Sequence, residues 1–88
     1  MMDERAAALF ADRESPDRDA AYRATVGLFG MTDEPVAWAY EVWDGMLSDL
    51  AHREGHERAF AAQMLARLAI SDPEGRMLKD FPRVAAVM

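Results

Sequence analysis

Hydrophobic positions along this chain recur every three to four residues, the period of an α-helix that buries one face. The pattern is clearest from residue 33 to 52. There Val36, Tyr40, Trp43, Leu47 and Leu50 form one stripe, Ala39 and Met46 broaden it, and Glu41, Asp44, Ser48 and Asp49 lie largely opposite. Trp38 and Val42 widen the apolar arc, which predicts neighbours on more than one side of this helix. No run alternates cleanly at period two, so strands have little support.

Turn and capping residues divide the rest. A first helix is expected over about 3–13, with Asp3 as its cap and Ala6 to Phe10 as its apolar content. Ser15-Pro16 has the form of an N-cap followed by a proline at the first helical position, predicting a second helix over 16–29. Gly30 suits the left-handed residue just past its end. Thr32-Asp33-Glu34-Pro35 is the start signal for the helix at 33–52. Gly55 is the expected turn before a fourth helix, 56–71, where Ala59, Ala61, Ala62, Ala66 and Ala69 allow close approach and Met64, Leu65 and Leu68 fill volume. Ala62 and Leu65 are expected to be buried against the helix carrying Trp43.

Ser71-Asp72-Pro73-Glu74 reads as a capping box. A fifth segment, 73–80, should stop at Asp80-Phe81-Pro82, because proline breaks a helix interior, and a sixth should run over 81–88. Short connections between these elements make antiparallel neighbours. The expectation is one all-α domain over residues 1–88.

Composition sharpens this. The chain is 51% hydrophobic and 30% charged, rich in helix formers, and has no cysteine. At 88 residues it buries only about 60–65% of the surface its unfolded form exposes, so packing or a partner must supply stability without disulfides. The net charge of −6 argues against nucleic-acid backbones and anionic membranes as partners. No apolar run approaches a membrane span, and the start MMDER lacks signal-peptide features, so a cytoplasmic location is expected.

The chemistry-bearing residues form no recognisable site. His52 and His56 flank Glu54, but Gly55 interrupts the interval and no third metal ligand is evident. Residues 33–51 hold five acids and no base, without a calcium-loop pattern. There is no nucleophile signature and no phosphate loop. The expectation is a non-enzymatic protein with no catalytic residues, no cofactor and no metal. Trp38, as the tryptophan outside the main stripe, and Arg58 and Arg67, as polar positions of the fourth helix, are the candidate partner surface. For the two arginines, a structural ion pair with the neighbouring acidic helix is the simpler expectation.

The segment from Val36 to Met77 resembles the HEAT-like, armadillo-type helical repeats of bacterial proteins. A tryptophan-bearing helix, a short turn, an R-x-x-A-A-Q-x-L helix and an S-D-P-E junction follow in order. Arg58, Ala61, Ala62, Gln63, Leu65, Leu68, Ala69, Ser71, Asp72 and Pro73 carry the likeness. The resemblance implies a short right-handed stack of antiparallel helix pairs and a scaffold or adaptor role in protein–protein interaction. Repeat arrays need about three units, so a truncated member is one expectation. A protein partner, or a second copy, meeting the apolar C-terminal residues is the other. Two alternatives remain: a HEAT-like DNA-repair protein of the alkylation-repair type, and a compact helical bundle unrelated to repeats.

Overall fold

The Asp3 carboxylate accepts a hydrogen bond from the Ala6 amide at 3.0 Å and so starts the first helix, as its sequence position predicts. The computed structural model describes residues 2–87; Met1 and Met88, the ends of the expected 1–88 domain, lie outside the described residues. The fold is all-α. Its helices are α1 (Glu4–Asp12), α2 (Arg18–Met31), α3 (Ala39–Asp49), α4 (Gly55–Leu68), which runs on into a 3-10 turn at Ala69–Ser71, and α5 (Arg76–Ala85). Helices α1 and α2 pack as one pair, α3 and α4 as a second, and α5 lies against α4.

Several boundaries differ from the sequence expectation, some because a side chain takes a different partner. Helix α2 begins at Arg18, two residues after the expected start at Pro16. Asp17 is the N-cap, accepting from the amides of Asp19 and Ala20, while the Ser15 hydroxyl accepts from the Asp17 amide. The helix runs through Gly30 to Met31 instead of ending at 29. Thr32 closes it: its buried hydroxyl donates to the carbonyls of Leu28 and Phe29. Gly75, and not Gly30, is the residue with positive φ among those described.

Thr32 is therefore part of the α2 terminus, and the helix expected over 33–52 occupies Ala39–Asp49. Residues 33–38 form a loop held by a long-range bond, in which the Val36 amide donates to the Ser71 hydroxyl at 2.8 Å. Helix α4 starts on Gly55 itself, which is helical and not a turn, and tightens into the 3-10 turn after Leu68.

The expected capping box at Ser71–Glu74 does not form: the Glu74 amide donates to the Tyr40 hydroxyl and the Ser71 hydroxyl accepts from the Val36 amide. Asp72 caps the last helix instead, accepting from the amides of Arg76 at 2.9 Å and Met77 at 2.8 Å. Gly75, at φ 69°, makes the left-handed turn that lets the chain enter α5, where an L side chain would be strained. The two helices expected over 73–80 and 81–88 are one, with Pro82 inside it. The proline removes the amide that would pair with the Leu78 carbonyl. Buried Asp80 and Val84 hold the helix on either side of the proline, and Leu78 is exposed.

The core centres on α4. Ala61, Ala62, Met64, Leu65 and Leu68 are buried in one cluster with Leu28, Trp38, Trp43, Phe60 and Val84. Ala62 and Leu65 are thus buried with Trp43, as expected. Complete burial of a side chain such as Leu65 contributes about 1.5–3 kcal/mol. An aromatic seam joins the two helix pairs. Phe10 meets Trp38 edge-on at 6.0 Å and Phe60 at 6.4 Å, and Phe29 stacks on Phe60 at 5.7 Å.

Candidate functional site

The densest polar cluster is the junction between α4 and α5. The Tyr40 hydroxyl donates to Asp72 in a short hydrogen bond and accepts from the Glu74 amide at 2.8 Å. The Arg76 guanidinium lies over the Tyr40 ring, 4.1 Å from its centre, and contacts Glu74. Burial pushes the Asp72 carboxyl up. The bonds from Tyr40, Met77 and Arg76, with the Arg76 charge, outweigh burial and hold it below its ordinary 3.8. Burial first, and then the bond to Asp72, raises the Tyr40 hydroxyl above 10.0. The Tyr40 hydroxyl and the Asp72 carboxylate are both committed to groups of the chain, so the cluster works as a clasp that indexes α5 to α3.

The residues singled out by sequence are not brought together. Trp38 is 3% exposed and packed on Phe10, so it belongs to the core and not to a partner surface. The loop that carries it is folded inward by the Val36–Ser71 bond. Arg58 donates to the His52 carbonyl at 2.6 Å, closing the α3–α4 turn, while Glu54 faces His56 at 3.2 Å. Arg67 donates to the Phe29 carbonyl at 2.9 Å, pairs with Asp33 and lies 4.7 Å from the centre of the Phe29 ring. It therefore ties α4 to the end of α2, and its acid partner sits in the loop before α3 rather than on that helix. The His52 imidazole accepts from the Glu54 amide at 3.1 Å. Among the described residues, no group of three His, Asp or Glu side chains converges as a metal site would require.

A shallow groove of about 380 Å³ runs between α2 and the start of α4, lined by Arg13, Tyr22, Thr25, Phe29, Glu57 and Phe60 among others. Its wall is set by Arg13, which sequence reading did not single out. The guanidinium stacks 3.4 Å from the centre of the Phe60 ring, donates to the Thr25 hydroxyl at 3.0 Å and pairs with Glu57 at 3.2 Å. These partners hold it in place as a brace between α2 and α4.

An exposed apolar stripe beside a basic edge lies on the outer face of α5. Leu78, Phe81, Pro82 and Ala85 fall at i, i+3, i+4 and i+7 and are all exposed, Leu78 by 89% and Phe81 by 55%. Arg76, Lys79 and Arg83 form a second stripe at i, i+3 and i+7; Arg76 is held by Glu74 and Tyr40, Arg83 also donates to the Leu47 carbonyl at 3.4 Å, and Lys79 and Arg83 are exposed. The inner face is the third: Asp80 and Val84 are buried, and Met77 and Val87 pack on the core. The helix thus carries apolar residues on two sides and a basic edge between them. Dividing this segment at Pro82 hides the outer stripe; reading 76–85 as one helix reveals it at once.

No helix among the described residues is long and apolar enough to cross a membrane. No protein-family model, no curated protein and no solved structure matches this chain.

Proposed function

We propose that this chain is a non-enzymatic helical domain, of the HEAT-like scaffold or adaptor kind, that binds another protein through the outer face of α5. The observation that carries the reading is the apolar stripe Leu78–Phe81–Pro82–Ala85 turned to solvent on a helix whose other apolar side is already buried. An ordered helix needs one buried apolar face; a second one, edged by charge, is the usual form of a docking surface. The polar clasp at Tyr40 and Asp72 supports the same reading, because it fixes the direction of α5 and so presents the stripe on a rigid element.

The test compares the wild-type chain with Leu78→Asp and Phe81→Ser, both at exposed positions where folding should survive, as circular dichroism would verify. A partner recovered from cell extract, identified and purified, should bind the wild type and lose at least about tenfold in affinity for either variant. Equal binding by all three chains would remove α5 as the docking surface.

A further inference from the structure

We infer that the occupant of the α5 face is an acidic amphipathic helix of a different protein. This inference rests on the reading of α5 as a docking surface and adds the chemistry of what docks there.

The face itself states the complement. Along α5, about 15 Å of helix, an apolar stripe runs beside a basic one. The matching segment is a helix with apolar residues at i, i+3 or i+4, and i+7, and acids along one flank to meet Lys79 and Arg83. Local charge distinguishes this face from the rest of the chain. On this face Lys79 and Arg83 are the exposed cations, Arg76 being matched by Glu74, and the one acid of residues 76–87, Asp80, is turned inward to the Trp43 indole. The chain as a whole is −6. An acidic helix is therefore favoured along α5 over the acidic outer face of α3, which gives register as well as attraction.

The surfaces of the chain itself disfavour a second copy as occupant. The outward stripe of α3, Glu41, Asp44, Gly45 and Ser48, is acidic but has no large apolar residue to cover Leu78 and Phe81. Pairing α5 with its own copy brings two basic stripes to one interface. An anionic lipid surface attracts the basic edge but repels the remainder of the chain.

The probes are three labelled 14-residue peptides measured by fluorescence anisotropy. One has leucines at i, i+3, i+4 and i+7 with glutamates on the flank, one is a scramble of the same composition, and one has lysines in place of the glutamates. The periodic acidic peptide should bind at least about tenfold more tightly than the other two and weaken as salt is added. Leu78→Asp, and separately the double variant Lys79→Glu/Arg83→Glu, should each reduce that binding about tenfold with the fold intact. Equal binding of the scramble, no binding of the acidic peptide, or indifference to either variant would overturn the proposal. So would binding to phosphatidylserine vesicles that depends on the same residues. A sedimentation mass of twice the 9.8 kDa chain that Leu78→Asp restores to the monomer would also overturn it. If the peptide fails while Leu78→Asp still abolishes binding of the natural partner, the acidic-helix chemistry is wrong and the docking surface stands.

Discussion

The Trp43 indole N–H donates to the Asp80 carboxylate at 3.0 Å, with both residues buried, across 37 positions of sequence. This bond pins α5 to α3 at the point where a polar group would otherwise be stranded in the core. Phenylalanine at position 43 removes the donor and some volume together, so Trp43→Phe should cost about 2–4 kcal/mol. Asp80→Asn keeps an acceptor for the indole and should cost only about 1 kcal/mol. Urea unfolding of the two variants measures both. Equal losses would mean that the indole bond is not what holds Asp80.

The Tyr40–Asp72 clasp has a pH signature. The Asp72 carboxyl titrates lower in the folded chain than when unfolded, so its contribution is complete above about pH 3.8 and is lost as pH falls through the folded value. The Tyr40 hydroxyl titrates higher when folded, so its contribution is complete below about pH 10 and fades as pH rises further. Asp72→Asn should therefore melt below the wild type near neutrality, and the gap should narrow in acid. Tyr40→Phe should lower the melting temperature on the neutral plateau. A gap of constant size across the acid range would show that Asp72 is not the titrating support.

Arg13 should resist conservative replacement. Lysine can retain charge beside Glu57 but cannot stack flat on Phe60 while also donating to Thr25. Arg13→Lys is expected to lose about 1–2 kcal/mol, measured by denaturant midpoint at constant slope. A neutral outcome would reduce the guanidinium to a surface charge.

Pro82 is the opposite case, a residue whose removal should help. Alanine at this exposed position restores an amide for the Leu78 carbonyl and relieves the ring within the helix. Pro82→Ala should stabilise the chain by about 1–3 kcal/mol, seen as a higher melting temperature. A loss of stability would mean that the proline shapes α5 in a way that its neighbours require.

What could be read from sequence was what local periodicity encodes. The Trp43 stripe and the Ala62–Leu65 face of α4 are buried where their spacing puts them, because each is repeated over several turns of one helix. The misplacements share a cause: a local signal was outcompeted by a distant partner. Ser71 fits a capping box with Glu74, yet its hydroxyl meets Val36, 35 residues away. Trp38 falls outside the stripe and looks exposed, yet that bond and Phe10 draw it into the core. Pro82 should end a helix, but Trp43–Asp80 and Val84 hold the segment together through it. The α5 face was obscured by the same proline, since its stripe becomes visible only when residues 76–85 are taken as one helix.

The two tryptophans, both buried, touch opposite parts of the fold. Trp38 meets Phe10 of α1, and Trp43 is held by Asp80 of α5. The chain therefore contains two intrinsic fluorescence reporters with separate fields of view. Emission from Trp38 follows detachment of the N-terminal helix, and emission from Trp43 follows release of the C-terminal one. Variants retaining a single indole would distinguish which end lets go first, without any label being added.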